Sequence, residues 1–103
     1  MADVFQALAH PLRREVLKKL RNGPMTAGDL AEAFPVSKPT MSRHFATLKE
    51  AGLIEAEKVG TVIRYRLNLS VAEEAAGAIM DVLKIHPDTA AKAAPPSGAV
   101  EKS

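Results

Sequence analysis

The stretch FPVSKPTMSRHFATLKEAGLI, Phe34 to Ile54, places a proline two residues after a serine and then continues at helical spacing. Ser37 is a good N-cap, and Pro39 loses nothing in a first turn, whose N–H groups have no intrahelical partner. The proline starts a helix. At about 100° per residue, Met41, Phe45, Leu48 and Gly52 fall on one side, which must be the core side. Opposite them stand Pro39, Thr40, Arg43, Ala46 and Thr47, with Ser42 at one flank and His44 on the boundary. A face this small and polar, with one long cation, lets a groove wall approach closely and lets Arg43 reach base edges or phosphates.

Upstream, Asp3 can cap a short helix carrying Val4, Phe5 and Leu8, and Pro11 restarts the chain in the first turn of a second helix. In that helix Leu12, Val16, Leu17 and Leu20 repeat at helical spacing until Asn22-Gly23-Pro24 stops it. Thr26 caps a third helix running to Phe34, where Pro35 forces extended geometry on the residue before it. Pro35-Val36-Ser37 is then the turn into the fourth helix, residues 37–51. Downstream, Ile54–Lys58 and Val62–Leu67 read as two strands joined through Lys58-Val59-Gly60-Thr61. Ser70-Val71-Ala72-Glu73 fits a capping box opening a last helix with an apolar stripe of Val71, Ala75, Ala78, Ile79 and Val82.

Two short helices joined by a tight turn and followed by a basic two-stranded ribbon make a winged helix-turn-helix, mainly α with a two-stranded β wing (α+β). Such a module sends its second helix into the major groove, with the positive helix end toward phosphate. The expected DNA-contacting residues are Ser37, Lys38, Pro39, Thr40, Ser42, Arg43, His44 and Thr47, with Lys58, Arg64 and Arg66 from wing 54–67. Rival readings exist for several. Thr40 and Ser42 can be plain surface hydroxyls, His44 can pack at the core edge, and Arg64 and Arg66 can pair across the strands with Glu55 or Glu57. Arg13 and Arg14 open the second helix, where a cation is poorly placed for the dipole, so a phosphate contact or an internal salt bridge would explain them. His10 and His86 read as ordinary side chains.

Composition sets the outer bounds. The 103 residues suffice for one compact domain, and the absence of cysteine excludes disulfides and thiolate metal sites. No apolar run approaches the length needed to cross a bilayer, so a cytoplasmic location is expected. Residues 1–67 carry eleven Lys or Arg against seven Asp or Glu, whereas 68–103 carry three against five. The basic excess therefore sits in the part expected to touch a polyanion. Residues 1–86 are expected to form the domain, with a disordered tail over 87–103, where alanine, proline and polar residues dominate. No nucleophile elbow, zinc-protease motif or phosphate-cradling glycine loop is present, so an enzyme is not expected.

The segments HPLRREVLKKL, MTAGDLAEAF and SKPTMSRHFATLKEAGLIEAEKVGTVIRYRLN resemble the ArsR-type winged-helix repressors, over about residues 3 to 85. Within that family they look most like the metal-independent, SdpR-like autorepressor subgroup. The resemblance implies a homodimer joined through the first and last helices, here Val4, Phe5, Leu8, Ala75, Ala78, Ile79 and Val82. It also implies binding to an inverted-repeat operator and repression, often of the protein's own operon. Where many members carry a metal- or oxidant-sensing cysteine pair, this chain has Thr26 and Gly28. Its last helix offers only Glu73, Glu74 and Asp81, with His86 near its end, so no metal or cofactor is expected. A metal- or small-molecule-responsive sensor with its ligand at the dimer interface is the alternative, and a winged helix used only for protein contacts is a second.

Overall fold

The computed structural model describes residues 3–84. The expected tail over 87–103 and His86 lie outside them. The chain divides between Ala72 and Glu73 into two units. The first holds α1 (Val4–Leu8), α2 (Pro11–Leu20), β1 (Met25–Thr26), α3 (Ala27–Glu32), α4 (Lys38–Glu50), β2 (Ile54–Val59), β3 (Val62–Leu67) and the start of α5 (Leu69–Val82). The rest of α5 belongs to the second.

Helix starts follow the caps. Asp3 accepts from the Gln6 N–H at 2.7 Å, Thr26 from Asp29 at 3.1 Å and Ser37 from Thr40 at 3.4 Å. Each satisfies a first-turn donor that the helix itself cannot. The last helix differs from expectation: it begins at Leu69, and Asn68 caps it through Oδ1, accepting from Val71 N–H at 3.3 Å. Ser70 is already inside the first turn, where its hydroxyl cannot take the N-cap role. α3 ends at Glu32, two residues short of the expected Phe34, so the turn into α4 spans 33–37. Phe34 and Val36 in that turn pack against the core.

The end of α4 is built by Gly52. Its φ of +82° lets the Gly52 N–H reach Lys49 O at 2.9 Å and the Leu53 N–H reach Leu48 O at 3.0 Å. This is the Schellman arrangement, in which the left-handed residue turns the chain back on the helix. Leu53 and Ile54 follow into the core beside Val16, Leu30, Met41, Phe45 and Leu48.

β2 and β3 form the expected hairpin, with β2 one residue longer than the sequence indicates. The loop is Gly60-Thr61 alone, and Gly60 at φ +63° meets the demand of a type II′ turn for glycine at its first position. A third strand was not foreseen. β1 pairs antiparallel with β3, Met25 opposite Tyr65 and Thr26 opposite Arg64, giving the order β1-β3-β2. Two residues after a proline, the second of them itself a helix cap, carry no alternation to read, so only tertiary pairing defines this strand.

Candidate nucleic-acid interface

The fold presents α4 as its sequence suggested. Met41, Phe45 and Leu48 are buried, while Lys38, Pro39, Ser42, Arg43 and Ala46 are exposed and Thr40, His44 and Thr47 are half-buried. The two cap hydroxyls are not equivalent to free surface groups. Ser37 Oγ donates to Thr40 Oγ1 at 3.0 Å, so Thr40 helps fix the helix start while Ser42 stands clear of it. Arg43 is thus the one long cation on a face of small side chains.

The wing separates residues that the sequence grouped together. Pairing of Glu55 with Arg66, Glu57 with Arg64 and Val59 with Val62 puts these six on one face of the hairpin. Lys58 lies opposite Ile63 on the other face, so Lys58 and the two arginines cannot meet one flat surface together. Arg66 takes the cross-strand partner: its Nε lies 3.0 Å from Glu55 Oε1, in a half-exposed pair. The register sets Glu57 opposite Arg64, leaving this face a balanced ladder of charges tipped by exposed Val59 and Val62.

Arg13 and Arg14 donate to backbone carbonyls instead of forming the expected internal salt bridge. Arg13 donates through Nε to Ala7 O at 2.7 Å and through Nη2 to Gln6 O at 3.0 Å, while Arg14 Nη1 donates to Leu8 O at 2.7 Å. Both satisfy the last carbonyls of α1, a five-residue helix that ends at Ala9 without a glycine. The Ala9 N–H also reaches Gln6 O at 3.2 Å, and the two cations in the first turn of the following helix supply the remaining donors. Arg13 Nη1 also lies 3.4 Å from Nδ1 of His44, whose ring meets His10 at a centroid distance of 4.5 Å. Burial, then the neighbouring His10, Arg13 and Arg43, hold His44 below the ordinary imidazole value of 6.5. His10 itself caps α2, its Nδ1 accepting from Leu12 N–H at 3.1 Å.

The residues expected at a dimer interface differ in exposure. Phe5, Ile79 and Val82 are exposed, as is Ala78, while Val4 and Leu8 are half-buried and Ala75 is buried. Thr26, at a position of the family's cysteine pair, spends its hydroxyl on the α3 cap. Among the described residues no three His, Cys, Asp or Glu side chains gather into a cluster. No helix among them is long and apolar enough to cross a membrane.

A family profile described as "Helix-turn-helix domain" matches residues 8–57. The "Transcriptional repressor SdpR" of Bacillus subtilis is 45% identical over 74 residues, which cover 72% of this chain and 82% of that protein. The chain belongs to the ArsR-type family of winged-helix regulators. A solved structure titled "ArsR-like Transcriptional Regulator from Rhodococcus sp. RHA1" superposes with a TM-score of 0.70 at 33% identity, covering 79% of this chain and 76% of that one. Another, titled "Possible transcriptional regulator for arsenical resistance", gives 0.73 at 30% identity, covering 95% and 100%. These ArsR-type relatives are transcriptional regulators and repressors rather than enzymes, which supports a DNA-binding regulator here.

Proposed function

We propose that this chain is a homodimeric repressor that binds an inverted-repeat operator, with α4 in the major groove and the wing against the neighbouring backbone. The observation carrying this reading is the outward face of α4, where exposed Pro39, Ser42, Arg43 and Ala46 leave a surface a groove wall can approach. Ser37, Lys38, Thr40, His44 and Thr47 flank that face, and the positive end of the capped helix favours phosphate. Lys58, Arg64 and Arg66 supply the wing contacts, from opposite faces of the hairpin. Exposed Phe5 on α1 and Ile79 and Val82 on α5 are apolar side chains that a second copy would cover. The name of the Bacillus relative supports repression, and control of the protein's own operon follows from the same resemblance.

The test lets the purified protein select fragments from its own genome at low and raised salt. Retention of a palindrome with half-sites about 10 to 10.5 bp apart, or a multiple of that, is the expected result. Fragments of arbitrary sequence, lost as salt rises, would leave only the electrostatic term and defeat the reading.

A further inference from the structure

We propose that Arg13 is a positioning residue for the recognition helix: by donating to Nδ1 of His44 it fixes that imidazole as the Nε2–H tautomer, a neutral donor for a DNA phosphate. The proposal rests on the reading of α4 as the groove-entering helix.

A guanidinium has donors and no acceptor, so its 3.4 Å approach to Nδ1 requires a lone pair there and leaves the ring hydrogen on Nε2. Arg13 cannot swing aside to accommodate the other tautomer, because its Nε and Nη2 are committed to the carbonyls of Ala7 and Gln6. The strut is therefore anchored at the end of α1 and applied to the side of α4. Protonation of His44 would set N–H against N–H and would add a cation beside Arg13 and His10 of the α2 segment and Arg43 of its own helix. Those are the charged or titratable groups that act on the ring. His44 sits at the edge of the outward face, between the buried row and Arg43, which suits a backbone contact rather than a base contact.

A neutral donor has its own signature. Lysine and arginine contacts release counterions, so losing one lowers both affinity and its salt slope. Losing an uncharged donor lowers affinity and leaves the slope alone.

The experiment uses the full chain and two duplexes, one retained by the genomic selection and one scrambled to the same composition. His44→Leu is expected to weaken both by about five- to tenfold with no change in salt slope. His44→Gln, which keeps an amide N–H near the Nε2 position, is expected to stay within about twofold of the parent. Long-range proton–nitrogen spectra of the labelled protein should show His44 as the single Nε2–H tautomer at neutral pH. In Arg13→Met, which keeps an apolar stem, a tautomer mixture and a higher titration midpoint are expected. Should Arg13→Met not fold, the parent spectrum alone decides, and a hydrogen on Nδ1 overturns the proposal. Unchanged affinity in His44→Leu overturns it too, with the groove reading intact if Arg43→Ala still weakens the selected duplex. Equal, salt-sensitive binding of both duplexes by the parent defeats that underlying reading instead, and the tautomer spectrum still judges the Arg13 strut.

Discussion

Phe45 of α4 and Tyr65 of β3 meet with ring centroids 5.2 Å apart and planes tilted by 52°. Tilted aromatic pairs at this separation add about 0.5–1.5 kcal/mol to the area they bury, so this contact ties the recognition helix to the wing. Phe45 is buried, and Phe45→Ala is expected to cost about 3–5 kcal/mol, a large share of the stability of a small domain. Tyr65→Phe keeps the ring contact and is expected to stay within about 0.5 kcal/mol. Urea denaturation of the two variants checks both, and similar losses in each would show that the phenol hydroxyl, not the ring pair, matters.

Gly52 tests the reversal after α4. A Cβ there would stand 3.6 Å from a Val71 methyl, ordinary contact distance, so the cost of Gly52→Ala is backbone strain alone. About 1–2 kcal/mol is expected for an alanine held in the left-handed region. A thermal melt lowered by roughly 4–16 °C agrees with that range, and an unchanged melt would mean the turn relaxes freely.

On the wing, Glu55 holds Arg66 across the strands in a solvent-accessible pair. Such pairs contribute only about 0–1 kcal/mol, so Glu55→Gln should barely alter stability. If Arg66 meets phosphate, the same change frees a cation and removes a repelled carboxylate, and DNA affinity should rise about two- to fivefold at low salt. Affinity that falls, or does not move, takes Arg66 off the interface.

Acid should weaken the fold through His44. The unfolded chain takes up this proton near about 6.5, while the folded ring, desolvated and beside His10, Arg13 and Arg43, takes it up lower. Between those values the unfolded chain binds more protons, so stability rises with pH there and is lost as pH falls below about 6.5. Denaturation midpoints from pH 7.5 to 5.5 should fall further for the parent than for His44→Gln, and equal falls would assign the acid sensitivity elsewhere.

Most of the helical frame was legible because each helix carries its own start signal and apolar row. Asp3, Thr26 and Ser37 cap as read, and Met41, Phe45 and Leu48 form the buried row of α4. Ser70 misled because Asn68, two residues earlier, competes for the same capping role and lies where the helix begins. β1 was hidden because two residues hold no period. Cross-strand pairing of the wing arginines with Glu55 or Glu57 was legible as one of two readings, and the register decides that Arg66 meets Glu55 and that Lys58 faces away from both arginines. The contact of Arg13 with His44, 31 residues apart, is a product of packing between helices and leaves no local trace.

The most direct test of the central claim, that the outward face of α4 reads DNA, is the affinity of Arg43→Ala for the duplex selected from the genome. Arg43 is exposed and outside the core, so the variant should melt with the parent. Binding weaker by about 1–3 kcal/mol on the selected duplex, with little loss on a scrambled one, is the predicted result. Unchanged affinity for the selected duplex would contradict the claim.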